Sequence, residues 1–266
     1  MCHSILQNPV TVKVDVEHES HVIEQHFYLT DQSKRNDTLL GLFEHYQPES
    51  TVVFCRTKIQ CREVAEFLQD NNIEAIALHG DLDQRDRDQV MVRFANKSCS
   101  VLVATDVAAR GLDVKSLQAV INYELPHDPE DYVHRIGRTG RAGETGVALS
   151  LYTEAEIGRI IGIEGYQKTT CESESPDSLN RRPGITIRSP MTTLQIDAGK
   201  KNKIRPGDLL GALTKDAGLP GAHIGKIDIF STFSYVAINS QSVAKAMKHF
   251  KKGKVKGRLL RAREIR

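Results

Sequence analysis

Short, continuous apolar runs separated by helical patterns constrain the fold of this 266-residue chain more than any other feature. A run that is apolar at nearly every position predicts a strand buried on both faces. Such strands, alternating with amphipathic helices, are typical of a parallel sheet in an α/β layer fold. The predicted strands lie at 51–55, 75–78, 101–105, 119–123 and 146–152.

Polar motif residues directly follow three of these predicted strands. Arg56 follows the first, Gly80 comes two residues after the second, and Asp106 follows the third. Because the carboxyl ends of parallel strands meet at one edge, we expect these residues to lie close together. Ligands of parallel sheets bind at that edge, so the sequence predicts a ligand site there.

The run HRIGRTGR at 134–141 holds three arginines and two glycines. Arginine keeps its charge at any working pH, and its planar fork of donors suits phosphate oxygens. Glycine allows a ligand to approach the backbone closely. The run therefore predicts a polyphosphate site, with a surface arginine cluster that bridges carboxylates as the alternative.

The periodic pattern dissolves after residue 162. The segment 163–190 is polar and holds prolines, which indicates a flexible linker. A second pattern of strand, helix, strand, strand, helix and strand follows, which is the order of an RNA-recognition (RRM) domain. Its predicted elements lie at 191–196, 206–215, 224–230, 235–238, 242–250 and 257–265.

Charge divides the chain in the same place. Residues 1–190 carry 20 Lys and Arg against 29 Asp and Glu, whereas residues 191–266 carry 16 against 5. A basic second part predicts a polyanionic partner, and nucleic acid is favoured over a merely soluble basic face.

The apolar runs and the cysteines indicate in which cellular compartment the protein works. No apolar run approaches the ~18 residues of a membrane span, so no membrane partner is expected. The five cysteines are scattered without a CxxC pair, which indicates reduced thiols, no metal site and a cytoplasmic protein.

Four motifs in order carry a family resemblance. They are VVFCRT at 52–57, LHGDLDQRDR at 78–87, ATDVAARGLD at 104–113 and HRIGRTGR at 134–141. Together they resemble the C-terminal RecA-like domain of DEAD-box RNA helicases. The basic stretch GKKNKIRPGDLLGALTKDAGL, from residue 199, is similar to the RNA-binding domain appended in the bacterial DbpA subfamily.

The resemblance implies an α/β chain in three parts. A C-terminal RecA-like helicase domain with a parallel sheet would occupy residues 1–162, followed by a linker at 163–190. A small RRM-like α+β domain that binds RNA would occupy residues 191–266. The implied partner is structured RNA, specifically a 23S ribosomal RNA hairpin.

The resemblance also implies roles around ATP. Arg138 and Arg141 match two phosphate-contacting arginines, which would act catalytically as arginine fingers. Asp113 matches the aspartate that holds the ATP ribose, with helix capping as the alternative. Three further residues would brace this site and couple it to a partner domain: Arg110, His134 and Arg135.

RNA contacts in the first domain would reach mainly phosphates and sugars, which position a strand without reading its sequence. Gln84 and Arg87 lie three residues apart on one predicted helix, where a solvated helix end is the alternative. The residues expected on this surface are Arg56, Thr57, Gly80, Gln84, Arg87 and Thr105.

In the second domain the strand STFSY keeps two aromatic positions of an RRM strand. Phe233 and Tyr235 are predicted to stack bases, with burial in the core as the alternative. The basic residues expected to contact RNA are Lys251, Lys252, Lys254, Lys256 and Arg258.

Two motifs of the family are absent from the sequence. The chain has no GxxxxGK[ST] loop and no DEAD tetrapeptide, which would hold the ATP phosphates and Mg²⁺. The family carries both on an N-terminal RecA-like domain, so ATP and Mg²⁺ would be held mainly by that domain, in cis or in trans.

We therefore expect the C-terminal part of an ATP-dependent RNA helicase that acts on 23S ribosomal RNA in large-subunit assembly and is inactive as this chain alone. The alternative is a non-catalytic RNA-binding fragment. A DNA-acting lobe is a third reading, against which the RRM-like tail argues.

Overall fold

The computed structural model describes residues 23–109, 117–140 and 145–265. These residues form two sheets, one parallel and one antiparallel, each with its own buried core. This arrangement confirms the predicted fold class, an α/β domain followed by a small α+β domain.

The first sheet is parallel in every pairing of its described strands. Its strands are β1 Ile23–Leu29, β2 Thr51–Cys55, β3 Ala75–Leu78, β4 Val101–Thr105, β5 Ala119–Asn122, β6 Gly146–Tyr152 and β7 Ser173–Glu174. The spatial order is β3-β4-β2-β5-β6-β1-β7. The central strands are buried at almost every position, as their continuous apolar runs predict.

Helices cover both faces of this sheet. The helices are α1 Arg35–Tyr46, α2 Lys58–Asp70, α3 Gln84–Ala95, α4 Asp106–Ala109, α5 Pro129–Ile136 and α6 Ile157–Gln167. Because successive strand residues point to opposite faces, Val53 packs in the core beneath α1 and α2, and Val52 packs in the core beneath α3.

Side-chain caps fix where several helices begin. Thr57 accepts a hydrogen bond from the Gln60 backbone at the start of α2, and Asp83 accepts one from the Asp86 backbone at the start of α3. These caps satisfy backbone donors that a helix start leaves unpaired. They also place the residues after β2 and β3 at the carboxyl edge of the sheet.

The second domain is an antiparallel sheet with helices on one face. Its elements are β8 Met191–Ile196, α7 Pro206–Gly211, β9 Ile224–Ile229, β10 Ser234–Asn239, α8 Val243–Lys252 and β11 Ala262–Glu264. The strand order is β11-β8-β10-β9. The predicted element order is confirmed, but the last strand is shorter than the predicted 257–265 and begins at Ala262. Lys256 and Gly257 have positive φ and form a turn before it.

The segment 163–190 makes extensive contacts in place of the expected flexible linker. Residues 163–167 belong to α6, and β7 pairs with β1. Leu179 is buried in the first domain's core, and the Arg181 guanidinium bonds Glu44 at 2.6 Å and Asp37 at 3.0 Å. The segment lacks a regular period, yet these separate anchors hold much of it on the first domain.

The open face of the second sheet packs on the end of α3. The Thr193 hydroxyl lies 2.6 Å from the Ser98 hydroxyl and 3.2 Å from the Asn96 amide nitrogen, and all three residues are buried. This is the face that an RRM uses for nucleic acid. Part of it is therefore covered by the first domain.

Candidate functional site

The carboxyl edge of the parallel sheet brings together the turns that follow β2, β3, β4 and β5. These turns carry Arg56, Gly80, Asp106 and Glu124. Strands β2, β3 and β4 are parallel and in register, so Arg56, Gly80 and Asp106 lie at one edge of the sheet, as expected from the sequence. Glu124 was not singled out from the sequence.

A cavity of about 210 Å³ opens beside α4 and α5 at this edge. His134 is exposed and Arg138 half-buried at its wall, so both side chains border the same space. Two carboxylates, Asp106 and Asp131, face it as well. Its lining residues are Phe54, Asp106, Ala109, Asp131, His134, Arg135 and Arg138.

Arg135 is fully engaged within the protein. Its guanidinium makes a two-pronged contact with Asp106, at 2.6 and 2.7 Å, and donates to the Asn122 side chain at 2.9 Å. It also lies 5.0 Å from the centre of the Phe54 ring and is only 4% exposed. Arg135 therefore holds the cavity wall in shape, and its partner Asp106 is fixed at the end of β4.

A hydrogen-bonded path connects this arginine to the turn after β2. The Gln60 side chain accepts from the Arg56 backbone at 3.0 Å and donates to the Glu124 carboxylate at 2.9 Å. The Glu124 carbonyl in turn accepts from Arg135 at 2.8 Å. Four residues thus join the two predicted sites. Gln60 and Glu124 gave no sequence signal, because 64 positions separate them.

Two more arginines fix the loop after β5. Arg35 donates to the Tyr123 carbonyl and Arg159 to the Leu125 carbonyl, each at 2.6 Å. Both guanidinium groups also bond the buried Glu156 carboxylate. Arg35 is only 1% exposed, and its charge would be very costly without these acceptors. A charged residue at a helix start is normally a surface residue, so no sequence pattern indicates this burial.

The predicted RNA-contact residues after β2 and β3 are exposed. Arg56 and Thr57 lie at the start of α2, and the Lys58 ammonium bonds the Asp81 carboxylate at 2.9 Å, which lowers the pKa of Asp81. Nothing lies within 4 Å of the position that a Cβ would take on Gly80. The protein itself therefore leaves room for a side chain at this position.

Gln84 and Arg87 differ in their surroundings although they start the same helix. Gln84 is exposed and donates to Asp88 at 2.7 Å. Arg87 is half-buried and donates to the Ala108 carbonyl at 2.6 Å, while Thr105 accepts from the Ala108 backbone at 3.4 Å. Arg87 and Thr105 thus both bond to the Ala108 backbone in α4.

Three of the predicted nucleotide residues, Arg110, Asp113 and Arg141, lie outside the described residues. Of the others, the structure brings His134, Arg135 and Arg138 to one cavity. Within the described ranges, no three His, Cys, Asp or Glu side chains are grouped closely enough to hold a metal ion. The described cysteines are unbonded thiols, and burial raises the pKa of Cys99 to about 12.

The two aromatic residues predicted in the second domain are not equivalent. Tyr235 is only 5% exposed, whereas Phe233 is half-buried and stacks on Phe230, with ring centres 4.8 Å apart. The structure thus places Tyr235 inside an aromatic cluster, which favours the packing alternative for that residue. Phe230 was not predicted as a site residue, because it is the last residue of a predicted alternating strand, where an apolar side chain fits the strand pattern.

The predicted basic residues of the second domain lie at the end of α8 and in the turn beyond it. Lys256 is engaged by the protein, since its ammonium donates to the Lys203 carbonyl at 2.8 Å and lies 3.4 Å from Asp208. The others present their charges to solvent: Lys251, Lys252, Lys254 and Arg258.

Comparisons with known proteins agree with both domains. Residues 34–143 match the helicase conserved C-terminal domain, and residues 193–264 match the DbpA RNA binding domain. The chain is 46% identical over 262 residues to the ATP-dependent RNA helicase DbpA of Escherichia coli, covering 98% of this chain and 57% of the relative. The chain thus spans little more than half the length of that curated relative.

Solved structures give the same result for the first domain. A DEAD box protein from Methanococcus jannaschii is 41% identical with a TM-score of 0.54, covering 57% of this chain and 42% of that one. The E. coli DEAD-box protein SrmB, solved with a regulator of ribonuclease activity, is 30% identical with a TM-score of 0.55. That match covers 63% of this chain and 98% of the other.

The fold and these matches define the class: the C-terminal part of a DEAD-box RNA helicase. Within the DEAD-box family, the chain belongs to the DbpA-like helicases, because its second domain is a DbpA RNA-binding domain. In the part of the chain that the structure describes, no helix is long and apolar enough to cross a membrane.

Proposed function

We propose that this chain is the C-terminal lobe and targeting domain of an ATP-dependent helicase that remodels 23S ribosomal RNA during large-subunit assembly in the cytoplasm. Its parts are the RecA-like domain at 1–162, the connecting segment at 163–190, which packs on that domain, and the RNA-binding domain at 191–266. One observation carries it: Arg138 borders a cavity whose wall, Arg135 and Asp106, is hydrogen-bonded to the exposed turn at Arg56.

The cavity is suited to part of a nucleotide. Its volume of about 210 Å³ is below the roughly 300–1,000 Å³ of complete small-molecule sites. The remainder of the site would come from an N-terminal RecA-like domain in cis or in trans, which would hold most of ATP and Mg²⁺. When bound, ATP would supply the phosphoryl group whose developing charge is stabilised by arginines.

In this proposal Arg138, together with Arg141, contacts the phosphates directly. His134 contributes an exposed ring at the cavity rim, and Arg135 keeps Asp106 in place. Asp113 would hold the ribose and Arg110 would brace the site.

RNA would lie along the turns after β2 and β3. Arg56 and Thr57 would contact phosphates, and the open space at Gly80 would admit the sugar-phosphate backbone of the RNA. Gln84 is exposed at the start of α3, next to these turns. Arg87 and Thr105 would support this surface through α4.

The second domain would deliver the helicase to a ribosomal RNA hairpin. Its excess of basic residues favours RNA binding, because each Lys or Arg that neutralises a phosphate releases a condensed counterion. The same observation favours a second candidate function, in which the chain is an RNA-binding fragment without catalytic activity.

The test is ATP turnover with and without a 23S ribosomal RNA hairpin. The chain alone should show none, and the chain joined to the N-terminal part of the E. coli relative should show RNA-stimulated turnover. If the joined protein binds the hairpin but never hydrolyses ATP, the RNA-binding fragment is the better account.

A further inference from the structure

Two phenylalanine rings form an exposed platform between β9 and β10. Phe230 and Phe233 stack with ring centres 4.8 Å apart and planes inclined by 18°, and Phe230 is 40% exposed. Tyr235 contacts both rings edge-on, at 5.6 and 5.2 Å, and is itself buried. Tyr235 therefore supports the pair, and a large part of the Phe230 ring stays exposed to solvent.

A loop of lysines is fixed beside this platform. The backbone N–H of Lys200 donates to the Phe230 carbonyl at 2.8 Å, and that of Lys201 donates to the Ser231 carbonyl at 2.9 Å. A Cβ at Gly199 would overlap the Phe230 carbonyl oxygen, so only glycine permits this close approach. The lysine loop and the aromatic turn therefore form one rigid unit.

The ammonium groups of this loop are exposed. Lys200, Lys201 and Lys203 have no carboxylate within ion-pair distance among the described residues. Cations placed this way remain available to an anionic ligand. An exposed aromatic face beside cations suits a nucleotide, whose base stacks and whose phosphate carries charge.

We propose that Phe230 and Phe233, with Lys200 and Lys201, form a binding site for an unpaired nucleotide of RNA. The base stacks on the exposed face of Phe230, and the two lysines bind the flanking phosphates. Every base has a π-face, so this site accepts unpaired bases generally and selects single-stranded over paired RNA. The proposal rests on RNA binding by the second domain and names where a loop nucleotide would bind.

The experiment measures affinities of the full chain by fluorescence anisotropy. The probes are a labelled ten-nucleotide oligoadenylate and a blunt ten-base-pair RNA duplex. Phe230→Ala should weaken oligoadenylate binding by roughly five- to a hundred-fold, the range for loss of one stacked base, and leave duplex binding unchanged. Phe230→Tyr, which keeps an aromatic face, should retain most of the affinity.

The role of the two lysines is tested by removing their charges. Replacing Lys200 and Lys201 by Ala should weaken binding of both probes and lower the single-strand salt slope by about 1.4, or ~0.7 per contact. The matched control replaces Lys215 and Lys248, two exposed lysines of the same domain, and should change neither. Thermal unfolding of each variant shows whether the fold is intact.

The outcomes separate this inference from the proposed function. If the wild-type chain binds neither these probes nor the 23S ribosomal RNA hairpin, the RNA-binding function fails and the platform fails with it. If it binds the hairpin but not oligoadenylate, only the platform is wrong. If the chain binds RNA but Phe230→Ala binds oligoadenylate as tightly as wild type, only the platform is wrong. Equal losses for oligoadenylate and duplex would also contradict it, since a duplex offers no internal base to stack.

Discussion

The carboxyl edge of the first domain and the basic surface of the second use positive charge in opposite ways. At the edge, Arg35 and Arg135 are 1% and 4% exposed, and the terminal nitrogens of both guanidinium groups donate to carboxylates and carbonyls. At the end of α8, Lys251 and Lys252 are exposed to solvent. Buried, hydrogen-bonded arginines position a loop, whereas exposed lysines supply a charge that any polyanion can use.

This difference has physical consequences. Interactions inside the protein are weakly screened, so the edge should respond little to salt and strongly to loss of a single side chain. Charges at the surface are screened, so RNA binding there should fall steeply as salt rises.

Loss of Arg138 should have the largest effect. In the chain joined to a helicase N-terminal part, Arg138→Ala should reduce ATP turnover by about 10³-fold or more, because an arginine at the transferring phosphate contributes that much. Steady-state hydrolysis at saturating RNA measures it. Turnover within tenfold of wild type would show that Arg138 is not at the phosphates.

Arg135→Ala should instead lower the free energy of unfolding of the first domain. It leaves Asp106 and the Glu124 carbonyl without their donor, which should cost about 3 kcal/mol, the lower end for a broken buried pair, since Asp106 is partly exposed. Urea unfolding of the chain measures the change. Lys58→Ala, which breaks the exposed pair with Asp81, is the matched control and should leave the free energy of unfolding almost unchanged, because solvent screens this pair.

Charge reversal on the second domain should act on RNA alone. Changing Lys251, Lys252 and Lys254 to Glu should weaken hairpin binding by at least roughly tenfold and flatten the salt slope by about two to three units. Stability should change little, because these side chains are exposed.

The matched control for that charge reversal changes three exposed lysines outside the second domain to Glu: Lys34, Lys97 and Lys168. It alters net charge equally and should leave the salt slope nearly as it was. A similar loss in both triple variants would mean that overall charge, and not this surface, sets the affinity.

The smallest effect is expected at Gly80. Since no atom lies within 4 Å of the added Cβ and φ is not positive, Gly80→Ala should leave stability unchanged. A methyl group would still hinder a phosphate that approaches the bare backbone, so affinity of the joined protein for single-stranded RNA should fall a few-fold. Unchanged affinity would remove Gly80 from the RNA surface.

Much of the fold could be predicted from the sequence. Thr51–Cys55, Ala75–Leu78 and Val101–Thr105 are strands over the predicted positions, because a continuous apolar run buried on both faces has a strong local signature. β1 was missed, since IEQHFYL mixes polar and apolar residues at the side of the sheet. Its pairing with β6 joins residues more than 120 positions apart.

The candidate site was predictable only in part. Motif residues at strand ends could be placed at one edge, because parallel register dictates where they meet. The path from Arg56 through Gln60 and Glu124 to Arg135 could not, because each contact depends on tertiary geometry. Burial of Tyr235 was left open for the same reason, as a strand pattern does not tell which sheet face another domain covers.

The central claim is that nucleotide chemistry and RNA targeting occupy separate parts of the chain. The most direct test combines Arg138→Ala with the Lys251, Lys252 and Lys254 to Glu changes in the joined enzyme. ATP turnover at saturating RNA should equal that of Arg138→Ala alone, and hairpin affinity should equal that of the triple variant alone, each within ~0.5 kcal/mol. A coupling larger than this between the two sets of changes would contradict the division.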